Sequence, residues 1–184
     1  MGRYSQLFDL QPDPFDRQAP VEKLRICLFK EVKNAPELRA LLQSGEIDCA
    51  FIKAELVLEL FQVLAAANRA VHALAHGKMA TRGIHSEIVY SLSPSRNISD
   101  SLSSFGISDS SSELLVCVHN DLKGEKMTKI GKKIQGRPTS LASLKNISNY
   151  DLVKKVYHVK DPELNKASIT DAIVTRIVSK DYVA

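Results

Sequence analysis

Two histidines four residues apart, His72 and His76, are the residues of this chain whose spacing first suggests chemistry. On a helix this spacing places both imidazoles on one face, as in zinc proteases with a His-Glu-x-x-His motif. Ala73 occupies the position of the glutamate that would act as general base, and no third metal ligand follows nearby. We therefore expect no metal site, and interpret the pair as polar residues on the exposed side of an amphipathic helix.

The segment GKKIQGRPT (131–139) has the glycine spacing of a phosphate-binding loop, but not its chemistry. Arg137 replaces the lysine, and Pro138 replaces the hydroxyl residue that would bind magnesium. The chain also has no G-x-S-x-G motif, no G-x-G-x-x-G motif and no paired carboxylates in an apolar setting. The sequence therefore predicts no catalytic residue, no cofactor and no small-molecule substrate, and it favours a binding protein.

Basic residues are concentrated in the middle of the chain, at Arg69, Lys78, Arg82 and Arg96. If the elements that carry them pack side by side, these cations converge on one rim, as contact with a phosphate backbone requires. Charge scattered for solubility is the alternative. A second basic run (123–137) holds six basic residues and one acidic residue, and we expect it to be a solvated surface loop.

Strands and helices alternate along the chain, which predicts an α/β fold made of a small mixed β-sheet with helices packed on it. Strand patterns occur at 21–32, 85–93 and 113–119, and helix patterns occur at 34–45, 59–77, 97–106 and 165–179. The stretch 50–58 reads either as a short strand or as an extended segment. Residues 1–20 contain three prolines and are expected to be a flexible N-terminal arm, so that 21–184 forms a single domain.

The last predicted helix is apolar around more than half of its circumference. One stripe consists of Ile169, Ala172, Ile173 and Ile177, and Val174 and Val178 widen it. Either the domain buries this helix deeply or part of it contacts a partner. For the partner contact we select Val174, Val178 and Ile177.

Composition places the chain among ordinary globular proteins, with 44% hydrophobic and 25% charged residues in 184. No apolar run is long enough to span a membrane. Three widely spaced cysteines, Cys27, Cys49 and Cys117, are expected to be reduced thiols of a cytoplasmic and nuclear protein. Residues 123–184 contain 13 basic and 6 acidic residues and so have a net charge of +7, whereas residues 1–122 have a net charge of −3. The positive charge of the second part would suit an anionic partner or simply a solvated surface.

Three blocks of the sequence resemble one known family, the small kinase-binding subunit of the EKC/KEOPS complex (the TPRKB family). The longest is AANRAVHALAHGKMATRGIHSEIVYSLSPSRNISDSLSSFGIS (66–108). LFKEVKNAPELRALLQSGEID (28–48) is similar to its first strand and helix, and DAIVTRIVSKD (171–181) is similar to its terminal helix. Glu59 and Leu60 stand where members of this family have Asp-Pro. The 20-residue N-terminal arm is longer than expected for the family, and the basic run 123–137 is not a general feature of it.

The resemblance implies a non-catalytic protein that binds and regulates an atypical kinase subunit (PRPK type), and through it the rest of KEOPS. That complex adds threonylcarbamoyl to the adenosine beside the anticodon of tRNA, and the transfer belongs to another, metal-bearing subunit. The small subunit is implied to hold the single-stranded 3′ CCA end of tRNA.

The implied tRNA-binding residues combine cations with a few polar and apolar groups. Arg69, Lys78, Arg82 and Arg96 are assigned to phosphates, Asn97 and Glu87 to the orientation of the turn, and Ile84 with Tyr90 to contact with bases. A protein scaffold for the kinase subunit without RNA binding is the rival interpretation, and a zinc enzyme using His72 and His76 is a remote third.

Overall fold

The computed structural model describes residues 4–16 and 18–182. Five strands are present: β1 (Gln6–Asp9), β2 (Lys23–Lys30), β3 (Ala50–Lys53), β4 (Leu114–His119) and β5 (Arg137–Thr139). The α-helices are α1 (Ala35–Gln43), α2 (Leu60–Ala75), α3 (Ile84–Leu92), α4 (Ile98–Phe105), α5 (Glu125–Lys133), α6 (Tyr150–Val156), α7 (Asp161–Leu164) and α8 (Ile169–Ser179). Two 3₁₀ turns cover Ala54–Leu56 and Leu141–Asn146.

The strands form one sheet in the order β1-β2-β4-β3, and β5 pairs with the end of β2. This confirms the predicted α/β class with a small sheet and packed helices. Every pairing among the described strands is antiparallel, so the sheet itself is not mixed as expected. β2 and β3 run in the same direction and are connected through α1, but β4 lies between them, so no two neighbouring strands are parallel.

Helices cover both faces of the sheet, which explains the apolar runs of its central strands. Leu24, Ile26 and Leu28 of β2 point into a core shared with α2, α3 and α8. Cys27 and Phe29 point into a second core, which is covered by α1 and α5. Strands buried on both faces read as continuous hydrophobic segments rather than as an alternating pattern.

The segment 85–93 was predicted to be a strand and is helix α3. Seven of its nine residues are buried, because α3 packs against α2, α4 and the sheet. His85, Glu87 and Ser91 are polar but buried, so the division into polar and apolar residues does not follow the buried side of the helix and gives no clear helical period. The solvated loop predicted for the basic run 123–137 is also wrong, since residues 125–133 form the amphipathic helix α5.

The N-terminal segment is not a free arm in the part that the structure describes. Residues 6–9 pair with residues 23–26 of β2, and Leu10 is buried in the first core. The prediction of a flexible arm is therefore wrong for residues 6–10. Residues 1–3 and 17 lie outside the described part of the chain.

The other predicted helices are present, with ends close to those expected. Gly45 and Gly77 have positive φ angles of 77° and 63° and follow α1 and α2. Asn97 caps α4, since its Oδ1 accepts from the amide of Asp100 at 3.2 Å. Among the described residues no helix is both long and apolar enough to cross a membrane.

Candidate functional site

The turn between α2 and α3 carries two of the predicted cations. After Gly77, the amide of Lys78 donates to the carbonyl of Ala73 at 2.8 Å, which closes the end of α2. The side chains of Lys78 and Arg82 are exposed, and neither has a hydrogen-bond or ion-pair partner in the described part of the chain. Both charges are therefore available to a ligand. We call Lys78 and Arg82 the turn cations.

A buried carboxylate holds this turn in shape. Glu87 is 1% exposed, and its Oε2 accepts from the amide and from the hydroxyl of Thr81, both at 2.7 Å. The amide of Glu87 in turn donates to the carbonyl of Gly83 at 2.9 Å. Glu87 thus has the orienting position that the sequence suggested, and removing it would leave a buried amide without an acceptor.

Arg69 lies away from the turn and is engaged within the protein. Its Nη1 donates to Ser91 Oγ at 2.8 Å, and its Nη2 donates to both carboxylate oxygens of Asp181 at 2.7 and 2.6 Å. The side chain is only 14% exposed. Because Ser91 lies about 10 Å along α3 from Ile84, Arg69 and the turn cations occupy opposite ends of α3.

A buried lysine that the sequence did not single out completes this end of the helix pair. Lys180 is 4% exposed, its ammonium group donates to the carbonyl of Tyr90, and its Nζ lies 3.3 Å from the centroid of the Tyr90 ring. Burial, together with the nearby charge of Arg69, lowers the pKa of Lys180 to about 7. The last turn of α8 is thereby fixed to α3. We call Arg69, Tyr90, Lys180 and Asp181 the C-terminal clasp.

Arg96 joins the clasp from the segment before α4. Its Nε donates to the carbonyl of Lys180 at 3.0 Å, while its side chain remains exposed at one wall of a surface groove of about 530 Å³. The other walls are formed by Pro94, Tyr157, His158, Thr175, Arg176, Ser179 and Lys180. The predicted cations therefore divide into two groups, the turn cations at one end of α3 and Arg69 with Arg96 at the other.

The remaining residues predicted to contact RNA differ in exposure. Asn97 is exposed, and its side chain caps α4. Ile84 is half-buried against the first core at the start of α3, close in sequence to Arg82. Tyr90 is buried and has Lys180 over its ring, so that ring offers no free face to a base on that side.

The apolar width of α8 is mostly explained by burial. Ile173 and Ile177 are fully buried in the first core, so Ile177 does not lie on a surface that a partner could reach. Val174 is half-buried, whereas Val178 is 52% exposed. Tyr182, just beyond the helix, is 88% exposed. Val178 is therefore the member of the predicted partner contact that faces outward, whereas Val174 packs at the edge of the first core.

The histidine pair binds the N-terminal segment of the same chain. His72 Nε2 lies 3.1 Å from the carbonyl oxygen of Gln11, and His76 Nε2 lies 2.6 Å from a carboxylate oxygen of Asp13. One turn earlier on α2, Asn68 Oδ1 accepts from the amide of Gln11 at 2.9 Å. Hydrogen bonds from the amide of Phe15 and from His76 lower the pKa of Asp13. Positions 68, 72 and 76 thus form a docking stripe for residues 11–13.

His85 is likewise bound to groups of the same chain through both of its ring nitrogens. His85 Nδ1 lies 2.6 Å from Asp48, and its Nε2 accepts from the amide of His119 at 3.0 Å. Burial lowers the pKa of His85, and with both ring nitrogens engaged it is not positioned as a general base. Within residues 4–16 and 18–182, no group of three or more histidine, cysteine or acidic side chains is arranged to hold a metal ion.

Comparison with known proteins agrees with this arrangement of elements. A family model described as "Kinase binding protein CGI-121" matches residues 29–181. A relative from Danio rerio, named EKC/KEOPS complex subunit TPRKB, is 39% identical over 155 residues, which cover 84% of this chain and 89% of the relative. A relative from Aspergillus fumigatus, named EKC/KEOPS complex subunit cgi121, is 40% identical over 142 residues, covering 73% and 75%.

A third relative, from Yarrowia lipolytica, carries the name EKC/KEOPS complex subunit CGI121. It is 36% identical over 138 residues, covering 74% of this chain and 79% of the relative. These matches confirm the resemblance to the small kinase-binding subunit that the sequence blocks indicated. With the family model extending from β2 to the clasp and the relatives aligned over most of their length, the chain belongs to the CGI-121 family.

Proposed function

We propose that this protein is the non-catalytic, kinase-binding subunit of an EKC/KEOPS complex, and that it holds the single-stranded 3′ CCA end of tRNA during threonylcarbamoyladenosine modification. It binds and regulates a kinase-like ATPase subunit and joins the rest of the complex through it. It acts in the cytoplasm and the nucleus. The proposal draws on the family and on the names of the relatives, all of which are subunits of that complex.

The turn cations are the observation that carries the RNA part of the proposal. Lys78 and Arg82 are exposed without partners on a turn that Gly77 and Glu87 keep in one shape. A preformed turn loses little conformational entropy when it binds phosphates, so such charges bind more effectively than charges on a mobile loop. Ile84 begins α3 directly after this turn and offers an apolar contact to an unstacked base.

The kinase part of the proposal assigns the contact to the outer side of α8. Val178 extends from a helix whose inner side, Ile173 and Ile177, is fixed in the core, and Val174 is half-buried at the edge of that core. An exposed aliphatic side chain on a rigid helix suits a small apolar interface. Ile177 supports this surface from beneath and does not itself touch the partner.

A protein scaffold without RNA binding is the second candidate, and one observation favours it. Arg69 is bound to Ser91 and Asp181, and Arg96 donates to the carbonyl of Lys180, so two of the four predicted phosphate ligands already have structural partners. In that case the turn cations would be solvated surface charge. The two candidates differ in one measurable property, which is affinity for the CCA end.

The test compares tRNA with and without its CCA end, at a stated salt concentration, by fluorescence anisotropy. We expect the intact tRNA to bind more tightly, and we expect the Lys78→Ala/Arg82→Ala variant to lose most of that difference with a salt slope that is smaller by about 2. The matched control is Lys145→Ala/Lys155→Ala, which removes two exposed lysines elsewhere. Equal affinity of the wild-type protein for both tRNAs would leave the scaffold as the function.

A further inference from the structure

Helix α5 presents a basic face to solvent. Met127, Ile130 and Gly131 are buried against the sheet, whereas Lys126, Lys129 and Lys132 are exposed. At 3.6 residues per turn, the three lysines span an arc of about 120° that lies opposite the buried side. Side chains three residues apart on a helix are neighbours, so these ammonium groups form one continuous strip. We call Lys126, Lys129 and Lys132 the α5 lysine face.

No carboxylate neutralises this strip within the described part of the chain. Lys133 pairs with Glu46, but Lys126, Lys129 and Lys132 have no ion-pair partner there. Glu125 is the only acidic residue between positions 123 and 137; it stands in the first turn, where a negative charge suits the helix dipole, and it lies one turn before Lys129 on the same side of the helix. The three lysines outnumber it on this side, so the face keeps a net positive charge that an anion can neutralise.

The helix that carries the strip is held firmly. Asp121, which is 5% exposed, accepts from the amides of Lys126 and Met127 at 3.2 and 2.8 Å and so caps the first turn. Arg25 of β2 fixes the preceding segment by donating to the carbonyls of Asp121 and Leu122 at 2.7 and 2.8 Å. The three ammonium groups therefore extend from a backbone of fixed geometry.

We propose that the α5 lysine face binds the phosphate backbone of double-helical RNA. Lysine is a point charge that reads phosphates without reading bases, so the contact is independent of sequence. Single-stranded RNA is held by stacking as well as charge, and residues 120–137 contain no aromatic side chain on which a base could stack. The geometry therefore suits a duplex stem better than a single-stranded end.

An anionic membrane fits this surface less well. A helix that lies in the membrane interface inserts its apolar side among the lipids, but the apolar side of α5 is already part of the second core. The exposed hydrophobic residue that directly precedes the helix is Leu122, which is 59% exposed. The α5 lysine face lies on the opposite face of the sheet from the core that α2 and α3 share, and its Lys126 end is the part nearest to His85 at the start of α3.

The test measures binding of the full chain to three labelled RNAs: a blunt-ended RNA duplex, a single-stranded oligonucleotide that ends in CCA, and an intact tRNA. In the Lys126→Ala/Lys129→Ala/Lys132→Ala variant we expect duplex affinity to fall roughly tenfold and its salt slope to decrease by about 2 to 3. Affinity for the CCA oligonucleotide should not change. This pattern separates the inference from the 3′-end function, which depends on Lys78 and Arg82.

The matched control is Lys145→Ala/Lys155→Ala/Lys166→Ala, which removes the same charge from exposed lysines on other elements. The proposal is overturned if this control loses duplex affinity equally, if the wild-type protein does not bind the duplex, or if the lysine face instead governs binding to phosphatidylserine vesicles. Alanine favours helix, so α5 should remain folded. A glutamine triple variant, checked by circular dichroism, provides a second test with side chains of similar length.

Discussion

The ammonium nitrogen of Lys180 lies 3.3 Å from the centroid of the Tyr90 ring, so the residue that follows α8 packs over the last turn of α3. The same ammonium donates to the carbonyl of Tyr90. Beside it, Arg69 links Ser91 to Asp181. Three helices that are distant in sequence are thereby joined at one point, and their stability depends on the protonation of a single buried amine.

Stability should therefore rise with pH through the action of Lys180. Its pKa is lowered to about 7 in the folded protein, whereas an unfolded lysine keeps its proton to about pH 10.4. Between these values the unfolded chain binds more protons, so raising the pH favours the folded state. From pH 7 to pH 9, urea unfolding should show the wild type gaining about 1–2 kcal/mol relative to Lys180→Met. A difference that does not change with pH would contradict this.

Removing the buried carboxylate of Glu87 should weaken RNA binding, although it removes a negative charge. Charge alone predicts that Glu87→Ala attracts RNA more strongly. If the carboxylate acts by holding Thr81, its loss leaves the Thr81 amide without its acceptor and frees the turn that carries Lys78 and Arg82. We expect severalfold weaker binding of CCA-ended RNA by anisotropy. Asp100→Ala, an exposed acidic residue on α4, is the control for the effect of charge.

Substitutions at Val178 and Ile177 should distinguish an effect on partner binding from an effect on folding. Val178→Asp places a charge on an exposed site, so we expect a monomer of unchanged melting temperature that no longer co-purifies with the kinase-like subunit. Ile177→Ala creates a cavity in the core and should lower the unfolding free energy by about 2–5 kcal/mol. If Val178→Asp retains the kinase-like subunit, the outer side of α8 is not the contact.

The contact between His76 and Asp13 should protect the N-terminal segment from exchange. In Asp13→Asn the amide of Gln11, which donates to Asn68, should exchange hydrogen faster. Asp16→Asn removes the same charge from a carboxylate whose hydrogen-bond partner among the described residues is the nearby amide of Gln18, so it should have little effect. The pKa of Asp13 is lowered in the folded protein. The stability that the ionised Asp13 gives to this contact is therefore fully present above the ordinary pKa of an aspartate, and it is lost as the pH falls through the lowered pKa.

The sequence indicated where most helices and strands begin and end, but it did not always distinguish a helix from a strand or a loop. Gly45, Gly77 and Asn97 marked helix ends that the structure confirms. The segment 85–93 could not be assigned by periodicity, because His85, Glu87 and Ser91 are buried although they are polar, and the polar positions therefore do not mark the exposed side. For α5, Met127 and Ile130 are about one helical turn apart, but two apolar residues among the lysines give a weak signal.

The site was predictable where it depends on neighbours in sequence and not where it depends on distant contacts. Lys78, Arg82 and Glu87 occur within ten residues, and their turn could be inferred. Nothing local indicated that Arg69 would meet Asp181, 112 positions away, or that Lys180 would be buried. The role of His72 and His76 depended in the same way on a segment about sixty residues earlier in the chain.

The position of the C-terminal clasp has a consequence for the order in which this protein is made. Synthesis proceeds from the N-terminus, so the ribosome still holds α8 when the sheet and α2 have emerged. Until Ile173 and Ile177 emerge, the first core remains uncovered beside α2. Arg69 then also lacks its ion-pair partner, Asp181. Val178 lies on the same helix, so a kinase-like partner that binds there can recognise only chains from which α8 has emerged.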